Sequence, residues 1–265
     1  KIVIIGTGGI GSPMANGIYQ AGISQEQIII TRKNSPFSET EQNMFNCTYN
    51  NKEAASAADI IIIAVQPSQA DELLLGIKEV LTSEKLLIPV VSGLEINQIE
   101  VLVGKVAIAR AMPNIAIKVR ESMTCLAFNG LGKKHQSLVE NIFNSVGKTL
   151  IIPEYKFPEA TGLCGSGSAF ALKFNRIFMQ AGIQHGFNER DSLMISSQVN
   201  KGAAMLIQDG WEHPEKAIDR VTTPEGCTIA GIAEMEHAGF GSAVLRGIKV
   251  CIERARHLYE KKKRS

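Results

Sequence analysis

The sequence lacks any long apolar run. No stretch reaches the roughly 18 consecutive apolar residues of a membrane-spanning helix. A secretory leader is not expected either, because the short apolar run Ile2–Ile5 ends at once in a glycine-rich turn, with no cleavage region after it. We therefore expect a cytoplasmic protein with no membrane partner.

The chain also lacks a strong charge of one sign and paired cysteines. The formal net charge is +2, which provides no overall basic field for nucleic acid or a membrane surface. The five cysteines are odd in number, widely spaced and without a C-x-x-C pair, which argues against disulfide staples and structural zinc. The five histidines are equally scattered, so no metal site is predicted. The low net charge likewise predicts no nucleic-acid partner.

The first half of the chain alternates apolar runs with helical patterns. Several runs are unbroken Ile, Val and Leu, which is typical of strands buried on both faces of a parallel sheet. The predicted strands are Lys1–Ile5, Gln27–Thr31, Ile60–Val65, Leu86–Val91, Val106–Arg110, Met123–Ala127 and Thr149–Ile152. Residues 1–153 are therefore predicted to form an α/β domain, a Rossmann-type doubly wound and mostly parallel sheet that binds a dinucleotide.

After Pro153 the pattern changes, because apolar residues recur at helical spacing and no further strand is convincing. The helical segments are Ala169–His185, Arg190–Asp209 and Gly241–Glu260. Residues 154–265 are therefore predicted to form an all-helical domain.

A dinucleotide fingerprint follows the first strand directly. Gly6, Gly8 and Gly11 form a G-x-G-x-x-G pattern that also contains Gly9 and Ile10, and a helix with Pro13 in its first turn follows. Such a turn presents free N–H groups and a helix dipole to a pyrophosphate. These five residues are predicted to bind the cofactor; a glycine-rich turn that binds nothing is the alternative.

The end of the second strand distinguishes the two nicotinamide cofactors. NAD enzymes place Asp or Glu there, whereas this chain has Arg32 and Lys33 among small polar residues. Two cations suit a 2′-phosphate, and an arginine plane can stack on adenine. NADP is therefore predicted, with NAD as a weaker possibility; a solvated basic turn is the alternative.

Three longer motifs carry a family resemblance. They are Arg110-Ala111-Met112-Pro113-Asn114, Gly165-Ser166-Gly167 and Val221-Thr222-Thr223-Pro224-Glu225-Gly226-Cys227-Thr228-Ile229-Ala230-Gly231. They resemble the R-x-M-P-N, G-S-G-P-A and V-(T/S)-S-P-G-G-T-T-I-A-G signatures of pyrroline-5-carboxylate reductases. Asn51-Lys52-Glu53 and Ala64-Val65-Gln66-Pro67 are similar to the N-x-E and A-V-K-P elements of that family.

The resemblance implies the last step of proline biosynthesis. Hydride passes from NADPH to the C=N carbon of 1-pyrroline-5-carboxylate and yields L-proline. The family fold is a Rossmann domain with a helical domain that forms a homodimer, often within a larger ring. A helical domain of about 110 residues would struggle to bury its apolar faces alone, which fits self-association.

The resemblance also implies site residues. The cofactor residues would include Asn51, Ala64, Val65, Gln66, Met112 and Asn114, and the substrate residues would be Ser168, Thr223, Gly226, Cys227 and Thr228. Thr228 matches the threonine near the substrate nitrogen, where its hydroxyl would orient the substrate or relay a proton. The alternative is that Thr228 is merely a helix N-cap.

Several residues depart from the family pattern. Glu225 replaces the first glycine of P-G-G, Cys227 replaces a threonine, Ser168 a proline and Gln66 a lysine. A Glu225 carboxylate about 4 Å from a substrate carboxylate would be repelled by about 4 kcal/mol at an effective dielectric near 20. Two alternatives therefore stay open: a reductase of another cyclic imine or imino acid, and a non-catalytic NADP-binding paralogue.

A β-hydroxyacid dehydrogenase is a further alternative. Those enzymes carry a catalytic lysine four residues after the last glycine of a G-x-G at the interdomain helix. Counted from Gly167, this chain has Ala171 at that position. Lys173 follows two residues later, about 200° around a helix, so the pattern does not favour this class.

Overall fold

The structure is a computed structural model, and it describes residues 1–210 and 213–264. The chain divides into two compact units, Lys1–Gly165 together with Ile252–Ser265, and Ser166–Cys251. The predicted domain border at 153/154 differs from this division, because Phe157, Ala160 and Tyr259 are buried in a core cluster of the first unit. For the functional domains, that border stays a prediction.

The first unit contains a mixed sheet with the strand order β3-β2-β1-β4-β5-β6-β7-β8. The strands are β1 Ile2–Ile5, β2 Ile28–Thr31, β3 Asn46–Thr48, β4 Ile60–Ile63, β5 Leu86–Pro89, β6 Ala107–Met112, β7 Ser122–Phe128 and β8 Gly147–Ile151. Neighbouring strands are parallel except for β6 and β7. The predicted Rossmann-type, mostly parallel sheet is therefore confirmed.

The unbroken isoleucine runs are explained by a core on each face of the sheet. In β1, Val3 and Ile5 belong to one buried cluster, whereas Ile2 and Ile4 belong to another. Successive side chains of a strand point to opposite faces, so both sets must be apolar where helices cover both faces. The parallel register, for example Ile2 opposite both Ile28 and Ile60, aligns these rows across neighbouring strands.

The edge strand β3 is an element that the sequence analysis missed. Its three residues, Asn46-Cys47-Thr48, are exposed or half-buried and pair in parallel with β2. Such a short, polar segment carries no apolar periodicity. Its strand conformation is therefore supplied by hydrogen bonds to β2 rather than by a pattern that can be read locally.

Helices lie between the strands of the first unit and after the last strand. They are α1 Gly11–Gln20, α2 Glu39–Met44, α3 Asn51–Ala57, α4 Ala70–Ile77, α5 Ile96–Val103, α6 Gln136–Asn144 and α7 Phe157–Ala160. After α7 the chain makes a five-residue π-helical turn, Thr161–Gly165. Alternating strands and helices of this kind are what a doubly wound domain requires.

The described residues of the second unit form helices joined by turns and loops, with no strand among them, as predicted. Its helices are α8 Gly167–Gln184, α9 Glu189–Gly210, α10 Pro214–Val221, α11 Cys227–His237 and α12 Phe240–Arg264, the last of which ends in the first unit. Helices α8 and α9 pack on each other, and Ser196 Oγ donates a hydrogen bond to Asn175 Oδ1 at 2.7 Å. None of the described helices has the length and apolar character needed to cross a membrane.

Candidate functional site

The glycine-rich turn after β1 combines two kinds of glycine. Gly6 has a φ of +96°, and a Cβ there would lie 2.7 Å from the Ala64 carbonyl oxygen. A Cβ on Gly11 would lie 2.0 Å from the Gly6 carbonyl oxygen. By contrast, a Cβ on Gly8 or Gly9 would meet nothing within 4 Å. Gly6 and Gly11 are therefore required by packing, whereas Gly8 and Gly9 border open space.

That open space belongs to a cavity of about 960 Å³ beside the carboxyl ends of β1, β2 and β4. This volume is at the upper end of the range typical of ligand sites. Ten of the predicted cofactor residues line it: Gly6, Gly8, Gly9, Ile10, Arg32, Lys33, Asn51, Ala64, Val65 and Gln66. The structure thus brings together the glycine turn, the basic turn after β2 and the turn after β4.

The other predicted cofactor residues do not line this cavity. Gly11 is buried at the start of α1, and Met112 is the last residue of β6. Asn114 follows β6, where its Oδ1 accepts a hydrogen bond from the Ala116 backbone N–H at 3.0 Å. Its Nδ2 donates to the Cys164 carbonyl oxygen at 3.0 Å. Asn114 therefore links the end of β6 to the π-helical turn.

The two predicted cations differ in their surroundings. The Arg32 guanidinium forms a short ion pair with Glu41 and lies over the Phe37 ring, 4.5 Å from its centroid. The Lys33 side chain is 68% exposed, and its Nζ is 4.0 Å from a Glu72 carboxylate oxygen. Lys33 is thus the more accessible positive charge at the rim of the cavity.

Glu41 is a residue that the sequence analysis missed, although a local signal existed. Ser38 and Glu41 form a reciprocal capping box at the start of α2, which is the S-x-x-E pattern. Burial acts to raise the pKa of Glu41, but hydrogen bonds from Ser38 and the Arg32 ion pair outweigh it and hold the pKa below 4.5. Glu41 is therefore an anion that neutralises Arg32.

The predicted substrate loop lies in the second unit. Gly226 is the N-cap of α11, and its N–H donates to the Thr223 carbonyl oxygen at 3.0 Å. A Cβ on Gly226 would come within 2.4 Å of Thr223 Oγ1 and 3.0 Å of the Thr223 carbonyl oxygen, so the tight turn favours glycine there. Cys227 and Thr228 are the first two helical residues of α11. The alternative that Thr228 is the N-cap is therefore wrong.

Glu225 adopts a left-handed conformation in the same loop. Its φ is +59°, a region that favours glycine over residues with a side chain. This geometry suits glycine, which is the residue that the signature named in the sequence analysis has at this position. The Glu225 side chain is exposed. Ser168, the remaining predicted substrate residue, is half-buried in the first turn of α8.

Both parts of the chain match models of known protein families. Residues 154–258 match the model of pyrroline-5-carboxylate reductase dimerisation, and residues 1–93 match that of NADP oxidoreductase, coenzyme F420-dependent. A solved pyrroline carboxylate reductase of Plasmodium falciparum, with NADP bound, is 28% identical. It superimposes with a TM-score of 0.87 over 98% of each chain.

Two relatives from Dictyostelium discoideum extend the similarity over the whole chain. Pyrroline-5-carboxylate reductase 1 is 37% identical over 100% of this chain, which spans about half (51%) of that protein's length. Pyrroline-5-carboxylate reductase 2 is also 37% identical, over 96% of this chain and 92% of its own length. Because a relative covered to 92% of its length is 37% identical and the dimerisation model matches the helical part, this protein belongs to the pyrroline-5-carboxylate reductase family.

Proposed function

We propose that this protein is an oxidoreductase that uses NADPH to reduce the C=N bond of 1-pyrroline-5-carboxylate to L-proline, as the last step of proline biosynthesis in the cytoplasm. The observation that carries the proposal is the cavity at the glycine-rich turn. The cavity joins a glycine-rich turn to a basic rim, in a chain that belongs to the pyrroline-5-carboxylate reductase family.

The residues present fit NADPH. The open positions at Gly8 and Gly9 let a pyrophosphate approach the backbone, and α1 begins directly behind the turn. Lys33, with Asn34 and Ser35 beside it on the cavity wall, supplies a charge and hydrogen-bonding groups for a 2′-phosphate. The bound nicotinamide would supply the hydride, and the protein supplies position and electrostatics.

The loop at the start of α11 is proposed to hold the substrate. The main-chain N–H groups of Cys227 and Thr228 lie in the first turn of an eleven-residue helix, whose N-terminal dipole favours a carboxylate. Gly226 shapes this turn, because its own N–H is bonded to the Thr223 carbonyl oxygen. The half-buried Thr228 hydroxyl is proposed to orient the ring nitrogen and assist its protonation. Because Cys227 would act through its main chain, its difference from the family threonine is tolerated.

Self-association as a homodimer, or as a larger ring built from dimers, is part of the proposal. Among the described residues of the second unit, the fully buried side chains are Ser192 and Ser196, and both are small and polar. Large apolar side chains of α8, α9 and α12 are exposed, for example Leu172 at 65%, Leu206 at 66% and Leu245 at 71%. A second copy covering these faces would bury them, and sedimentation would show a mass of at least twice one chain.

The test is the steady-state oxidation of NADPH with 1-pyrroline-5-carboxylate, with proline measured as the product. Turnover that yields proline supports the proposal. The family departures at Glu225, Ser168 and Gln66 make a second substrate worth testing in the same assay, a cyclic imine of another ring size. Intact NADPH binding without turnover on any cyclic imine would instead identify a non-catalytic paralogue.

A further inference from the structure

Two cysteines that are far apart in the sequence meet in the first unit. Cys125 lies in the middle of β7 and is 1% exposed, and Cys164 lies in the π-helical turn Thr161–Gly165 and is half-buried. Their sulfur atoms are 3.6 Å apart. Both are free thiols, and the proposed reaction with NADPH does not use either of them.

The surroundings of the two thiols give Cys164 a lower pKa than Cys125. The hydrogen bond with Cys125 lowers the pKa of Cys164, although burial opposes this. The same hydrogen bond, together with burial, raises the pKa of Cys125. Because the thiolate is the nucleophile of thiol chemistry, the half-buried Cys164 is the sulfur that reacts first.

We propose that Cys125 and Cys164 form an oxidation site that reacts with a small peroxide and closes to a disulfide. The Cys164 sulfur attacks a peroxide oxygen, the O–O bond breaks, and the leaving oxygen takes a proton, which leaves a sulfenic acid on Cys164. The Cys125 sulfur then attacks the Cys164 sulfur, the S–S bond forms, and the sulfenic oxygen leaves as water. With hydrogen peroxide, two thiols lose two electrons and two protons, and two waters form.

The contact geometry favours closure over further oxidation of Cys164. A disulfide has an S–S distance of about 2.05 Å, so each sulfur needs to move by less than about 1 Å from the present 3.6 Å contact. The π-helical turn that carries Cys164 is an irregular segment, which can adjust more easily than β7. The resolving sulfur is thus already in place when the sulfenic acid forms.

The disulfide would also act on residues proposed to lie near the nicotinamide, a step that rests on the proposed function. Asn114 Nδ2 donates to the Cys164 carbonyl oxygen, and Met112 is the cross-strand partner of Cys125. The π-helical turn also contacts Met112, since Thr161 Oγ1 lies 3.2 Å from its sulfur. Closure would pull this turn towards β7 and displace the Asn114 contact, so we expect weaker NADPH binding in the oxidised protein.

The experiment treats the full-length protein with hydrogen peroxide, blocks the remaining thiols and maps them by mass spectrometry. We expect a Cys125–Cys164 cross-linked peptide that is lighter by two hydrogen atoms and is cleaved by dithiothreitol. The dissociation constant for NADPH, measured by binding, should rise by about fivefold and return on reduction, as for the loss of one hydrogen bond.

Two variants keep the test falsifiable. Cys125→Ala should form no cross-link. Its Cys164 loses the hydrogen bond that lowers its pKa, so it should react with peroxide more slowly and, once oxidised, should carry sulfenic or higher acids instead of a disulfide. The control Cys47→Ser should behave like the parent. The site is disproved if peroxide cross-links other cysteines or oxidises Cys164 without the cross-link in the parent protein. If the cross-linked protein binds NADPH with an unchanged dissociation constant, the proposed effect of the disulfide on NADPH binding is wrong. The mapping does not depend on reductase activity, so its failure is distinguishable from failure of the proposed function.

Discussion

Arg32 and Glu41 form an ion pair at the edge of the cofactor cavity, as we name the cavity where the cofactor is proposed to bind, and Arg32 Nε also donates to Thr7 Oγ1 in the glycine-rich turn at 2.8 Å. One of the two cations predicted to recognise a 2′-phosphate therefore already has a carboxylate partner.

Because the pKa of Glu41 is lowered, the stabilisation from its ionised form is present above its ordinary pKa of 4.5. It is lost as the pH falls through the lowered pKa.

The first prediction concerns Lys33 and Arg32. Lys33→Ala should weaken NADPH binding by about tenfold or more, the cost of one charge-assisted contact, and leave NADH binding nearly unchanged. Arg32→Ala combined with Lys33→Ala should weaken NADPH further, again much more than NADH. Dissociation constants for both cofactors, measured by fluorescence titration, test this.

A matched control is Lys105→Ala, which removes an exposed lysine of the same unit that does not line the cavity. Its NADPH binding should stay at the parent level. Parallel losses for NADPH and NADH in the Lys33 and Arg32 variants would show that neither side chain recognises the 2′-phosphate.

Thr228→Ala tests the substrate loop. Removing a hydroxyl that is proposed to orient the reacting nitrogen should lower kcat by about tenfold to a thousandfold. NADPH affinity should be retained, because the residues lining the cofactor cavity are unchanged. Thr228→Ser restores the hydroxyl and should recover most of the turnover. Equal loss of NADPH binding in Thr228→Ala would contradict the assigned role.

Two substitutions of Glu225 distinguish the effect of its backbone conformation from the effect of its carboxylate charge. Glu225→Gly should stabilise the protein by up to about 1 kcal/mol, because glycine adopts the left-handed φ without a steric cost. Glu225→Ala removes the same carboxylate but keeps the Cβ, so it should give no such gain in thermal unfolding. Since the side chain is exposed, neither variant should change the KM for the imine much. A large fall in KM in both would show that the carboxylate repels the substrate.

Arg110 is expected to be a major contributor to the stability of the first unit. Its side chain is 2% exposed, with Nη1 2.8 Å from Glu154 Oε1 and Nη2 3.1 Å from Tyr259 Oη. Arg110→Ala should cost about 3 kcal/mol in urea unfolding, because it leaves a cavity and removes the partner of Glu154. Arg256→Ala, which breaks the exposed ion pair with Glu159, should cost clearly less. Similar costs for the two variants would contradict this account.

Much of the first unit could be predicted because its signals are local. Isoleucine runs predicted β1, β2 and β4 within one or two residues, since strands buried on both faces leave no room for polar residues. The glycine spacing similarly predicted the turn at the cavity. The short strand β3 was not predicted, because its conformation depends on pairing with β2 rather than on its own residues.

The sequence by itself determined the Rossmann-type sheet, the helical second part and the glycine-rich turn, because unbroken apolar runs, helical spacing and glycine spacing are properties of neighbouring residues. Tertiary structure alone decided that Arg32 pairs with Glu41, that Arg110 reaches Tyr259 across 149 positions, and that Cys125 contacts Cys164. These contacts join segments brought together by packing. Their formation depends on how helix ends and turns pack against the sheet. No local periodicity of the sequence predicts that packing.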